Sequence, residues 1–241
     1  MTARGHQSWR RRLAKLRVLA PRRGRNQLRR WYRRFVFRGA MRLFLRRPEL
    51  ALDCEHTLLR DLVYGWDNVE WSAREDYLRC CLQDALQTQE PILECGSGLS
   101  TLLVGALAQQ RGVSVESLEH VPEWAERVCR LLARNGISGV RLNLAPLVDH
   151  GEYCWYSVPE QLPKKFGLVI CDGPPGATKG GRYGLVPVLR THLAPGCIVL
   201  LDDANRVEEQ AIAKRWSDEL GATSERLGTQ RAYIRLKLPT T

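Results

Sequence analysis

Gly96 and Gly98 follow a short apolar run, residues 92–95, and precede a stretch with helical periodicity. A Gly-x-Gly turn lets backbone N–H groups approach a bound ligand closely, and in an open parallel sheet ligands sit beyond the carboxyl ends of the strands. The turn Gly96-Ser97-Gly98-Leu99-Ser100-Thr101 is therefore a nucleotide-type site. Two details decide between ligands. Thr101 stands where a dinucleotide fingerprint has its third glycine, and Glu94 lies inside the strand just before the turn. A carboxylate there repels a pyrophosphate, but it suits a ligand that carries a sulfonium and an α-amino group. About twenty residues beyond Gly98, a second strand-like run ends in Glu119, the spacing at which an acid accepts hydrogen bonds from both ribose hydroxyls.

A second constellation is acidic. The run 168–171 delivers Asp172 and then the rigid turn Gly173-Pro174-Pro175-Gly176, and the run 198–201 delivers Asp202 and Asp203. Three carboxylates at two neighbouring strand ends suit a hard divalent cation such as Mg²⁺, which would lower the pKa of a substrate hydroxyl. Without metal, Asp172 would orient substrate or act as base, and Asp203 would pair with Arg206. Lys179 and Arg182, on the glycine-rich stretch after the turn, are candidates to hold an anionic acceptor. Trp155 and Tyr156 are candidates to wall the adenine or the acceptor. His120, His150 and His192 are available as bases, although a single histidine is more often structural.

These residues need elements to hold them. From Pro91 onward, apolar runs of strand length alternate with amphipathic windows: strands at 92–95, 113–118, 140–144, 168–171 and 198–201, helices at 101–110, 123–135, 183–193 and 207–220. That alternation predicts an α/β fold, a doubly wound, mostly parallel seven-stranded sheet with helices on both faces. Residues 224–227 and 232–236, joined through Gly228, predict a C-terminal antiparallel hairpin at the sheet edge. Two helices precede the sheet, at 56–64 and 72–86, the second opening with a Ser72 cap and Glu75 three residues on. The organisation expected is a basic N-terminal extension at 1–50, a helical lead-in at 51–90 and a catalytic domain at 91–241.

With its glycine turn and two acids, the chain resembles the class I S-adenosylmethionine-dependent methyltransferases, whose first motif reads acid-x-Gly-x-Gly and stands here as Glu94-Cys95-Gly96-Ser97-Gly98. The resemblance covers roughly residues 91–237. It implies S-adenosyl-L-methionine as cofactor, with Gly96, Ser97 and Gly98 under the methionine moiety, Ser100 and Thr101 near its carboxylate, and Glu119 with His120 at the ribose. It also implies an adenine contact at Ala145-Pro146-Leu147, where the family's acid has no counterpart unless it is Asp149, and includes Asp172 among the cofactor-binding residues. The acidic pattern is similar to the metal-dependent O-methyltransferases, except that Asp203 replaces their asparagine. Amino-methyltransferases of nucleic acids carry Asn or Asp directly before Pro-Pro and an aromatic after it. Here Gly173 intervenes and Gly176 replaces the aromatic, which counts against base methylation.

The net charge of +11 is unevenly placed. Residues 1–50 hold 17 Lys and Arg against the single acid Glu49, whereas the remainder is mildly acidic. Leu28, Trp31, Tyr32, Phe35, Val36, Ala40, Leu43 and Phe44 recur at helical spacing among arginines, which reads as one basic amphipathic helix ended by Pro48. Three roles are open to it: lying in an anionic membrane interface, binding nucleic-acid phosphates, or packing on the catalytic domain or a dimer mate. No apolar run is long enough to span a membrane and no secretory signal is readable, so the expected location is cytoplasmic, with peripheral attachment open; the Arg-rich, acid-poor start also fits an organellar transit peptide in composition. The eight cysteines form no C-x-x-C pair and read as free thiols in a reducing compartment. The activity expected is methylation of oxygen on a small-molecule, saccharide or lipid-linked acceptor. The alternatives are a nucleic-acid methyltransferase that uses the basic arm, and a non-catalytic binding module on the same fold. A dehydrogenase is opposed by Glu94 and the missing third glycine.

Overall fold

The computed structural model describes residues 22–68, 73–229 and 231–240. Its centre is a seven-stranded sheet built from β1 (Ile92–Cys95), β2 (Val115–Glu119), β3 (Val140–Leu144), β6 (Phe166–Cys171), β7 (Leu193–Leu201), β8 (Thr223–Leu227) and β9 (Tyr233–Lys237). The spatial order is β3-β2-β1-β6-β7-β9-β8. β1 pairs in parallel with β2 on one side and β6 on the other, so the order reverses at β1 and a crevice opens beyond its carboxyl end. The C-terminal hairpin forms as expected, but its second strand is the inner one: β9 pairs antiparallel with β7, and β8 becomes the edge.

Both faces of the central strands are buried, which is why those strands read as largely apolar runs, interrupted in β1 by Glu94. Alternate residues feed two cores. Ile92, Leu168, Ile170 and Leu200 join α3 (Glu75–Gln87), α4 (Leu99–Arg111) and α5 (Pro122–Arg134) on one face. Leu93, Cys95, Val169, Cys171 and Leu201 join α6 (Leu185–Leu189) and α7 (Val207–Leu220) on the other. A small hairpin, β4 (Leu147–Asp149) with β5 (Cys154–Tyr156), covers part of this second face and buries Trp155 and Tyr156 completely. The helix expected over 183–193 is cut to one short turn and a 3-10 segment, because Leu193 already pairs with Phe166 and starts β7.

Ahead of the sheet lie α1 (Arg22–Arg46) and α2 (Leu58–Trp66). α1 ends before Pro48, whose ring cannot continue a helix. Its inner face differs from the one read in the sequence: Val36, Phe37, Ala40, Met41 and Phe44 are buried, whereas Trp31, Phe35 and Leu43 are exposed. Packing selects this face. Gly65 of α2 lies against Phe37, Phe37 meets Trp66 at 5.8 Å, and Arg33 is ion-paired with Asp67 and lies over the Tyr64 ring. The proposed Ser72 cap falls outside the described residues, and the helix there begins at Glu75.

Candidate active site

The glycine turn sits at the reversal of strand order. Gly96 has φ +88, a conformation that L side chains rarely adopt, and a Cβ there would stand 3.0 Å from the Gly173 nitrogen. The two turns, after β1 and after β6, therefore touch through glycine backbone, and the Asp172 N–H donates to the Cys95 carbonyl at 3.0 Å. A Cβ at Gly98 would meet nothing within 4 Å, so the space beside this residue is open.

Glu94 is buried, and its carboxylate accepts from three hydroxyls: Ser100 at 2.6 Å, Thr101 at 2.6 Å and Ser117 at 2.8 Å. Thr101 in turn accepts from the Gly98 N–H at 2.7 Å. These bonds tie the glycine turn and the start of α4 to the end of β1. Burial pushes the Glu94 carboxyl up to about 6, with the three hydroxyls opposing the shift. Glu94, Ser100 and Thr101, expected beside the methionine moiety, are thus joined to one another beneath the turn, where they hold its shape.

Glu119 ends β2 with both oxygens engaged. Oε2 accepts from the Ser97 N–H at 3.1 Å and the Ser97 hydroxyl at 2.8 Å, and Oε1 accepts from the N–H groups of His120 at 2.8 Å and Val121 at 2.9 Å. The carboxylate is thereby fixed beside the glycine turn. His120 Nδ1 lies 3.3 Å from Glu119 Oε1, and its ring meets Tyr156 edge-on with centroids 6.0 Å apart. Ala145 donates to the Glu119 carbonyl at 2.7 Å, and Pro146 accepts from Ser157 at 2.8 Å, which brings the expected adenine segment to the same edge. The Asp149 carboxylate pairs with Lys179 at 3.2 Å on the surface.

The acidic end is organised around a buried arginine. Arg182 Nη1 donates to the Asp202 carbonyl at 2.7 Å, and Nη2 donates to the Asp172 carbonyl at 2.9 Å, to Asp172 Oδ1 at 3.1 Å and to Asp203 Oδ2 at 2.9 Å. Asp203, at φ +63, is also held by Arg206 at 2.9 Å and Arg231 at 2.8 Å, and the buried Glu209 lies 3.9 Å from Arg182. Burial works against the Arg182 charge, but Asp172 and its fellow acids outweigh it and hold the guanidinium protonated. Burial, and then Asp202, pushes the Asp172 carboxyl up; burial, and then Asp203, does the same to Asp202.

This arrangement corrects the expectation of Mg²⁺ at Asp172, Asp202 and Asp203. Carboxylate oxygens of Asp172 and Asp203 pair with the guanidinium groups of Arg182, Arg206 and Arg231, whereas the Asp202 carboxylate accepts from the Asp203 N–H at 2.7 Å. Among the described residues no group of three or more His, Cys, Asp or Glu is placed to hold a metal ion. Arg182 is committed within the protein to the acids, and Lys179 pairs with Asp149 at the surface. Asp202 and Asp203 are buried, whereas Asp172 retains a partly open face towards the crevice. His150 stacks on Tyr153, and His192 hydrogen-bonds the Pro163 carbonyl, both away from these acids.

Several contributors escape sequence reading. Trp124 donates its indole N–H to the Ser97 carbonyl at 2.7 Å and steadies the glycine turn from the first turn of α5. Ser117 is paired in register with Glu94, which follows only from the alignment of β1 with β2. The buried hydroxyl of Tyr156 lies against Gly173 and has no hydrogen-bond partner among the described residues. Arg231 and Glu209 reach the acids from the C-terminal hairpin and α7, and no local pattern marks either residue.

The strand order, the glycine turn at its reversal and the acid closing β2 define a Rossmann-like methyltransferase fold. A family profile described as a methyltransferase domain matches residues 93–204. Solved structures of the same fold include the precorrin-6y C5,15-methyltransferase of Geobacter metallireducens, at 14% identity and TM-score 0.54, covering 70% of this chain and 91% of that one. An S-adenosylhomocysteine-bound methyltransferase of Podospora anserina is similar at 15% identity and TM-score 0.50, covering 71% of this chain and 82% of that one. The N-terminal domain of human METTL16, in complex with S-adenosylhomocysteine, matches at 12% identity and TM-score 0.50, covering 76% and 82%. No curated protein matches the sequence.

Proposed function

We propose that the chain transfers the methyl group of S-adenosyl-L-methionine to an oxygen nucleophile of a small-molecule, saccharide or lipid-linked acceptor. The observation that carries the cofactor part is the close seating of Gly96 on Gly173 beside a Glu119 carboxylate fixed by four donors. In this reading the methionine moiety lies over Gly96 and Gly98, and the ribose diol meets Glu119. The Ser97 hydroxyl is the donor that can yield to a ribose hydroxyl, because it sits on a rotatable side chain while the other three are backbone N–H groups. Ala145, Pro146 and His120 border the adenine.

Methyl transfer is an in-line displacement, so the protein chiefly has to align the acceptor with the sulfonium and exclude water. Asp172 stands where the two turns meet, and its carboxyl is raised, which suits a group that accepts the proton of an approaching hydroxyl. Asp202 and Asp203 act through Arg182, which fixes Asp172 by both its carbonyl and its carboxylate. Gly173 before Pro174 and Gly176 after Pro175 leave no aromatic to stack on a flipped base, and this favours a hydroxyl acceptor over a nucleic-acid base.

Calorimetric titration of the full chain with S-adenosylhomocysteine tests the cofactor assignment, with NAD as control. Micromolar binding of the homocysteine compound alone is expected, and Glu119→Ala should weaken it by about tenfold or more, the order of losing a pair of charge-assisted hydrogen bonds. Absence of binding by folded protein would overturn the assignment. Unchanged affinity of the variant would remove Glu119 from the site.

A further inference from the structure

We propose that the outward face of α1 is a docking surface for a bilayer rich in anionic phospholipid headgroups. The helix is already anchored: its inner side is buried on α2 and the adjoining core, so the opposite side has a fixed direction relative to the catalytic domain. On that opposite side Trp31 is 61% exposed and Phe35 56%, and the two rings stack with centroids 5.9 Å apart. Large aromatics at this exposure are rare on a surface that meets only water.

Charge complementarity selects the occupant. Arg34, Arg38, Arg42 and Arg46 recur every fourth residue, all exposed, as a ridge running beside the aromatic pair. The helix contains no acid, and residues 1–21 contribute six further basic side chains and no acidic one. Aromatic rings flanked by arginines match an interface in which the rings enter the boundary between headgroups and acyl chains while the guanidiniums stay among phosphates. Nucleic acid fits less well. A duplex would be met by the arginines alone, leaving the stacked rings against a charged backbone, and a convex helix face offers no groove for a single strand. No helix among the described residues is long and apolar enough to cross a membrane, so attachment would be in the interfacial plane.

The test is co-sedimentation of the full chain with vesicles of phosphatidylcholine alone or with one third phosphatidylserine, at about 0.15 M salt. Three proteins are compared, the wild type, W31S/F35S and R38Q/R42Q, each checked for unchanged thermal unfolding, since all four side chains lie outside the core. Wild type should bind the anionic vesicles only, and both variants should lose about tenfold or more of that binding. If wild type ignores anionic vesicles, the proposal fails. If W31S/F35S binds them as well as wild type, the aromatic face is not the docking element and the arginines act without it, which also overturns the proposal. Binding to an RNA duplex that weakens in R38Q/R42Q but not in W31S/F35S, without vesicle binding, would assign the face to nucleic acid instead. None of these outcomes depends on methyl transfer.

Discussion

At the scale of single residues, two buried charges are solved in different ways. Glu94 has no cation beside it and is stabilised by three hydroxyls, so its ionised form remains costly and its carboxyl is raised to about 6. The sign of the resulting pH dependence follows. A carboxyl raised above its unfolded value of 4.5 contributes stability that is fully present below that value and is lost as pH rises through 6. The loss amounts to about 2 kcal/mol. Urea unfolding of wild type between pH 4.5 and 7 should show this decline, and Glu94→Gln should flatten it; an unchanged slope in the variant would place the titration elsewhere. Arg182 is the opposite case, a buried cation shared by several acids. Arg182→Leu leaves Asp172, Asp202 and Asp203 without their central partner and should cost about 3–5 kcal/mol. Because Asp172 and Asp202 already have raised carboxyls, removal of the cation raises them further, so the cost should be larger at pH 8 than at pH 5. Equal cost at both pH values would show that the acids are neutral throughout.

At the scale of elements, the strands near the cleft were legible because both their faces are buried, and a strand buried on both faces is predominantly apolar, with Glu94 the charged exception in β1. The turn at Gly96 was legible for the same local reason, since only glycine serves where φ is positive and a second backbone lies 3.0 Å away. The β4–β5 hairpin was not legible: its burial pattern is mixed, and its partner loop around Lys179 lies some distance along the chain. α1 is the instructive element. Its apolar residues lie on two sides, and helical spacing alone merges them into one stripe; only Gly65, which lets α2 approach Phe37 to backbone distance, decides which side turns in. A Cβ at Gly65 would stand 2.7 Å from the Phe37 nitrogen, so Gly65→Val should force the helices apart and cost about 1–3 kcal/mol by urea unfolding. A neutral result would mean that α1 can shift freely on α2.

At the scale of the whole molecule, the N-terminal helices share the hydrophobic core of the sheet's first face. Phe37, Ala40, Met41 and Phe44 belong to the same cluster as Leu58, Leu62, Leu102 and Ile92. Each fully buried large side chain is worth about 1.5–3 kcal/mol. A chain starting at residue 48 should therefore melt well below the full chain or fail to accumulate in soluble form, as differential scanning calorimetry of the two would show. Identical melting temperatures would make α1 a passenger. The asymmetry of charge is also a whole-molecule property: a basic amino-terminal segment precedes a body that is mildly acidic, and the structure directs part of that basic surface outward on one helix.

By itself the sequence determined the fold class, the place of the glycine turn and the identity of Glu119 as the acid closing β2, because each depends on spacing within one strand-turn-helix unit. Tertiary structure alone decided the state of the acids. Arg182 and Asp203 are 21 residues apart, and Arg231 comes from a different hairpin, so no local pattern could show that guanidinium groups pair with the Asp203 carboxylate. It likewise decided that Glu94 faces three hydroxyls and that α1 turns Trp31 and Phe35 outward. Periodicity reports how often a residue returns to one face, whereas the identity of that face, and the partner of a charge on it, are set by which elements pack together.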